Sequence, residues 1–194
     1  MVEYDTGTAL IVVDVQNDFA DPAGSLYVVG GEATVPFIND QVAAARAADA
    51  IVVYTQDWHP ASTPHFAKDG GIWPSHCVGD TSGAELHPDL VVSGRRVRKG
   101  TGGEDGYSGF TVRDPQSGER SPTELEDLLR EGNIARVVIV GLATDYCVKE
   151  TAIDAARLGF TATVLADGIR AVNLNPGDGT RAVAAMAEAG VRFE

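Results

Sequence analysis

Only two cysteines occur in the 194 residues, Cys77 and Cys147. A disulfide framework is therefore excluded as the source of stability, and the fold has to rest on an apolar core. No uninterrupted apolar run is long enough to cross a bilayer. The opening MVEYDTGTALIVVDVQ has no basic segment ahead of its apolar run, which is short and ends at Asp14. It reads as no secretory leader, so a reducing, cytoplasmic setting is expected, with free thiols rather than a Cys77–Cys147 bridge. Positive charge is scarce, with 15 Lys and Arg against 28 Asp and Glu and a formal net charge of -13. Such a surface attracts neither nucleic acid nor an anionic membrane, and neither is expected as a partner. Repeats, low-complexity tracts and linker-like stretches are also missing, so residues 1–194 are expected to form a single domain. Oligomeric state is left open between monomer and homodimer.

What is present is an ordinary globular composition, 44% hydrophobic and 22% charged. Short β-branched runs predict strands at Thr8–Asp14, Ile51–Tyr54, Val91–Arg98, Arg136–Val140, Thr161–Ala166 and Val191–Phe193. Helical spacing falls between them, at Glu32–Ala48, Pro122–Glu131 with Ser121 as its cap, Val148–Leu158 and Thr180–Glu188. This alternation predicts an α/β protein of three α/β/α layers around a doubly wound, mostly parallel six-stranded sheet, Rossmann-like in class. Ligands of such sheets bind beyond the carboxyl ends of the strands. Asp14, Asp57, Lys99 and Cys147 all fall at predicted strand ends or just past them.

The central stretch is VVIVGLATDYCVKE, residues 137–150. It reads as a buried strand broken by Gly141, then a turn capped by Thr144 or Asp145, then a helix with Cys147 just inside it. A helix N-terminus lowers a thiol's pKa, so Cys147 is a candidate nucleophile rather than an inert buried cysteine. Asp14 could simply cap a turn, but beside a thiol it can accept and return a proton. Lys99 could be a solvated edge residue, but inside the site it would stabilise both thiolate and carboxylate. In QDWHP, Asp57 and His59 lie two apart and share a side of an extended segment. Three of the four histidines fall between positions 59 and 76, namely His59, His65 and His76. That mixture suits Zn²⁺, Fe²⁺ or Mn²⁺, against the alternative of surface histidines. Residues 61–90 lack periodicity, and their aromatic and histidine content makes the insertion a functional one. Phe19, Trp73 and Tyr107 sit in loops at the same sheet edge, where a flat aromatic substrate would stack.

The stretches ALIVVDVQNDF, YTQDWHP, GGIWPSHCV, the pair Lys99-Gly100 and VVIVGLATDYCV together resemble the nicotinamidases/pyrazinamidases of the isochorismatase-like cysteine hydrolases. The matches run in the family's order from position 9 to 148. The resemblance implies a catalytic triad of Asp14, Lys99 and Cys147, and an oxyanion hole from the backbone N–H groups of Ala143 and Cys147. It further implies a cis peptide at Leu142-Ala143 and one divalent metal, zinc first and iron or manganese next, held by Asp57, His59 and His76. His65 resembles a further ligand found in some members. Phe19 and Trp73 would sandwich the substrate ring, with Tyr107 beside it. Tyr146 replaces a histidine found in some relatives, with no effect on the chemistry expected. The reaction implied is hydrolysis of nicotinamide to nicotinate and ammonia through a cysteine thioester, in NAD salvage, with pyrazinamide also accepted. A carbamoyl- or ureido-directed amidohydrolase of the same superfamily would share the triad, and the metal cluster argues against it. An isochorismatase would not use the cysteine, and a non-catalytic binding module remains permitted by the fold alone.

Overall fold

The computed structural model describes residues 2–194. Its strands are β1 (Thr8–Val13), β2 (Ile51–Asp57), β3 (Arg95–Lys99), β4 (Thr111–Arg113), β5 (Arg120–Pro122), β6 (Arg136–Leu142), β7 (Thr161–Arg170) and β8 (Arg192–Phe193). Its helices are α1 (Asn17–Ala20), α2 (Val35–Ala47), α3 (Leu125–Glu131), α4 (Lys149–Arg157) and α5 (Asp178–Glu188). Six strands form one sheet in the order β3-β2-β1-β6-β7-β8, and every pairing in it is parallel.

Strand periodicity explains the layers. Leu10 and Val12 of β1, with Val138 and Val140 of β6, face a core completed by Val35, Ile38, Val42 and Ala45 of α2. Ala9, Ile11 and Val13, with Val137 and Ile139, face the opposite core. Leu125 and Leu129 of α3, Ala152 and Ala155 of α4 and Met186 of α5 cover that side. A strand buried on both faces needs an unbroken apolar run, which is why TALIVV and VVIV carry no polar alternation. The chain winds outward in both directions from β1 and β6, so the order of the sheet reverses between them. That crevice is where such a sheet binds its ligand.

Three expectations are corrected. Val91 and Val92 do not belong to β3; they are exposed, and only Val97 and Lys99 of that edge strand are buried. One covered face was enough for β3, so its arginines point to solvent while the apolar pair before it lies in a loop. The helix expected from Pro122 starts at Leu125, because Arg120–Pro122 pairs antiparallel with Thr111–Arg113. That hairpin is short and polar, and it carries no alternating signal. Its turn is made by Asp114, whose Oδ1 accepts the N–H groups of Gln116 and Ser117. Finally, Gly141 does not end β6. It lies within the strand at φ 116, beside a shift in register against β7. A Cβ there would lie 2.1 Å from the Val13 carbonyl oxygen, so glycine lets β6 continue against β1.

Candidate active site

The site is assembled at the carboxyl ends of β1, β2, β3 and β6. Asp14 follows β1 in the left-handed region, φ 48, which Asp tolerates better than most residues. Its N–H donates to the Thr55 carbonyl, and its Oδ1 accepts the Thr55 hydroxyl at 2.6 Å. Asp57 and Lys99 are direct partners in the β2–β3 register, so their side chains emerge together on one face. Lys99 Nζ consequently reaches three groups. It contacts Asp57 Oδ1, lies 3.0 Å from Asp14 Oδ2, and lies 3.7 Å from Cys147 Sγ. All four side chains are buried.

Burial opposes the charge on Lys99, but Asp14, Asp57 and Cys147 outweigh it and hold the ammonium well above its ordinary pKa. Burial likewise opposes ionisation of Asp57, yet Lys99 and the neighbouring histidines bring its carboxyl far below the usual range. Asp14 goes the other way. Desolvation raises it, Lys99 pulls it down, Asp57 pushes it up, and the outcome is a raised carboxyl.

Cys147 departs from its expected character. It lies in a π turn, Thr144–Val148, with Ala143 as the residue before it, and α4 begins only at Lys149. Neither Thr144 nor Asp145 caps that turn. Asp145 instead accepts the N–H groups of Val172 and Asn173, at 2.9 and 2.8 Å. Burial raises the Cys147 thiol, Lys99 lowers it, and the two carboxylates raise it again, so it stands well above the usual thiol value. Its sulfur and a carboxylate oxygen from each of Asp14 and Asp57 lie within 4.8 Å of one another. The Leu142–Ala143 peptide immediately before this turn is cis. Cys77 is a second free thiol, fully buried, with its sulfur 3.9 Å from the Gly83 carbonyl.

On the other side of Asp57 stand the histidines. Residues 58–94 are irregular but well bonded. His59 donates its N–H to the Cys77 carbonyl, Gly79 donates to the His59 carbonyl, and Phe66 is a fully buried anchor. Potential ligand nitrogens of His59, His65 and His76 come within 4.8 Å of one another. Asp57 Oδ2 lies 3.7 Å from His59 Nε2 and 3.9 Å from His76 Nε2. Both ring nitrogens of His59 are buried without a hydrogen-bond partner among the described residues, an unstable arrangement unless something accepts a lone pair. His76 bonds its Nδ1 to the Pro74 carbonyl at 2.7 Å, which leaves Nε2 as the lone-pair donor. Burial and the other two rings lower His65 to about 4, which keeps it neutral at pH 7. Three imidazoles with an adjacent carboxylate fit a divalent metal ion. Gly100 belongs to this cluster as well. At φ 78, a Cβ on it would come 2.6 Å from His59 Nδ1.

A narrow pocket opens between the two clusters. Phe19, Trp73 and Tyr107 all line it, as do His65, His76, Ala143 and Cys147. Trp73 Nε1 donates to the Tyr107 hydroxyl at 3.1 Å. Tyr146 completes this aromatic wall, its ring 5.0 Å from Trp73 and 5.2 Å from Tyr107. The sequence reading gave Tyr146 no role. Its position next to the cysteine was the available signal, since a turn that aims Cys147 into a pocket carries its neighbour to the rim. Leu26, Val28 and Val172 also line the pocket, and as ordinary apolar residues they carried no signal at all.

Fold and site together define a doubly wound α/β protein of the isochorismatase-like hydrolase class, with its reactive groups at the switch in strand order. The chain belongs to the isochorismatase domain family, whose pattern matches residues 8–193. It is 38% identical to the nicotinamidase of Escherichia coli strain K12 over 200 aligned residues, covering 94% of this chain and 92% of that one. The pyrazinamidase of Pyrococcus horikoshii, solved in complex with zinc, superposes with a TM-score of 0.86 at 38% identity, covering 97% of this chain and 98% of that one. PnC1 from L. infantum, solved in complex with nicotinate, gives a TM-score of 0.90 at 36% identity, covering 100% of this chain and 95% of that one.

Proposed function

We propose that this protein hydrolyses nicotinamide to nicotinate and ammonia, with Cys147 as covalent nucleophile. The observation that carries the reading is the position of Asp57. One carboxylate oxygen contacts the lysine of the Asp14–Lys99–Cys147 group and the other faces His59 and His76. Nucleophile and metal cluster therefore share one pocket, with aromatic walls between them. Asp57, His59, His65 and His76 would hold one divalent metal, a donor set that suits zinc, iron or manganese, with zinc first because the similar Pyrococcus horikoshii pyrazinamidase was solved with it. When bound, it supplies a Lewis-acidic position for the pyridine nitrogen and so fixes the ring. Phe19 and Trp73 flank that ring, and Tyr107 and Tyr146 close its edge.

The chemistry then belongs to the chain. Asp14 takes the proton from Cys147 Sγ, and the raised carboxyl makes it a competent base and afterwards a competent acid. Lys99 at 3.7 Å stabilises the thiolate as it forms. The sulfur attacks the carboxamide carbon, and the oxyanion is met by the backbone N–H groups of Ala143 and Cys147. Collapse breaks the C–N bond, ammonia departs with the proton from Asp14, and a thioester is left on Cys147. Asp14 next takes a proton from water, whose oxygen attacks the thioester, and nicotinate leaves as the thiol is restored. Pyrazinamide has the same ring-nitrogen and carboxamide relationship and is a second substrate. A reaction that turns nicotinamide into nicotinate would serve NAD salvage.

Ammonia release from nicotinamide by purified, metal-replete protein tests the reading, with Cys147→Ala as the control. Turnover is expected in the first and none in the second. Turnover of a ureido or carbamoyl substrate with none of nicotinamide would move the protein to another branch of the superfamily.

A further inference from the structure

Strand β2 runs IVVYTQD, and two of its buried side chains carry a hydroxyl: Tyr54, which donates to the Val91 carbonyl away from the site, and Thr55. A valine would serve the sheet equally well, being β-branched, apolar and of nearly the same shape. The hydroxyl therefore asks for a reason beyond packing. It donates to Asp14 Oδ1 at 2.6 Å, both groups being fully buried. The Thr55 carbonyl also accepts the Asp14 N–H, and Thr55 is the register partner of Val13. The orientation of Thr55 is set from its other side. A Cβ on Gly109 would approach the Thr55 methyl to 3.0 Å, so that methyl is packed against Gly109 and the hydroxyl is left facing Asp14.

From this geometry we propose that Thr55 is a positioning residue of the reaction. Its hydroxyl occupies Oδ1 of Asp14 and thereby keeps Oδ2 as the oxygen presented to Lys99 and Cys147. The inference rests on the reading of Asp14 as the proton acceptor for Cys147. A base that has to take a proton, deliver it to ammonia and then take another from water gains from having one oxygen locked. Rotation of the carboxylate would otherwise exchange the oxygens and move the accepting lone pair off the sulfur. Lys99, 3.0 Å from Oδ2, cannot prevent this by itself, because an ammonium follows either oxygen as a point charge. A hydroxyl with a fixed rotamer can.

The test uses three variants of the full-length, metal-replete protein. Thr55→Val removes the hydroxyl and keeps the shape, Thr55→Ser keeps the hydroxyl, and Cys147→Ala is the control on the underlying mechanism. Thr55→Val is expected to lose at least ten-fold in kcat, with KM, the Kd for nicotinate and metal stoichiometry within two-fold of wild type. Thr55→Ser is expected to recover kcat to within three-fold. A Thr55→Val enzyme with kcat within three-fold of wild type overturns the proposal, as does a Thr55→Ser enzyme as slow as Thr55→Val. If Thr55→Val does not unfold cooperatively, Thr55→Ala replaces it under the same criteria. Failure of both to fold overturns the proposal in favour of a purely structural hydroxyl. Turnover by Cys147→Ala would instead sink the mechanism on which the inference stands.

Discussion

Replacing Lys99 with methionine is the most informative single change, because it removes one charge and little volume from the centre of the site. In the wild type the ammonium is 1% exposed, contacts Asp57 and lies 3.0 Å from Asp14. Its removal leaves two buried carboxylates facing each other without their shared cation. Breaking a buried ion pair on one side typically costs about 3–5 kcal/mol, and for a domain of this size that is roughly 6–20 °C in Tm. The defect should depend on pH. Burial already raises Asp14, and losing Lys99 takes away what pulls it down. A carboxyl raised in the folded state binds its proton there at pH values where the unfolded chain has released it. Stability therefore falls as pH rises through that window, and the penalty of Lys99→Met is larger at neutral pH than in mild acid. Thermal melts of both proteins across that range measure it, alongside turnover, where losing the cation beside base and thiolate should cost on the order of 10²–10⁴-fold. A Tm within 2 °C of wild type at neutral pH would refute the electrostatic account of the hub.

Other perturbations separate the remaining parts. His59→Ala removes the buried ring whose nitrogens have no hydrogen-bond partner among the described residues, so the purified variant should carry little or no metal by elemental analysis while retaining its far-UV spectrum. Metal removal by a chelator should abolish nicotinamide turnover and leave the free-thiol count at two, with restoration on adding zinc back. Gly141→Ala forces φ 116 on a side chain and drives its Cβ against the Val13 carbonyl, so it should destabilise by about 3 kcal/mol or more in urea titrations. Gln16→Ala strips the donor and acceptor that clamp the Asp57 backbone at 2.7 and 2.8 Å, and loss of metal affinity together with about 2–4 kcal/mol of stability is expected.

Much of this architecture was legible in the chain because its signals are local. TALIVV and VVIV could only be strands covered on both faces, and the residues at their ends had to gather at one edge of the sheet. Asp14, Asp57, Lys99 and Cys147 were found in this way. The five family-like stretches added roles that residue types alone left open. Other features were illegible for definite reasons. The β4–β5 hairpin is three residues a side, mostly polar and nowhere fully buried, so it lacks the alternation that marks a strand. Thr55 looks like any β-branched strand residue until the Asp14 carboxylate is seen 2.6 Å from its hydroxyl. Gln16 gives no hint that its amide reaches across to the Asp57 backbone 41 positions away.

The protonation of Cys147 marks the boundary most clearly. The sequence by itself determined which reactive side chains exist, and it placed them at strand ends, because hydrophobic periodicity and turn chemistry are properties of neighbouring residues. It also suggested a helix N-terminus that would acidify the thiol. Only the tertiary structure decided that Asp57 stands beside Lys99 in register, that Lys99 reaches both Asp14 and the Cys147 sulfur, and that burial raises the Cys147 thiol instead of lowering it. A pKa follows from solvent exclusion and from charges a few ångströms away, and those charges come from β1, β2 and β3, far from Cys147 along the chain.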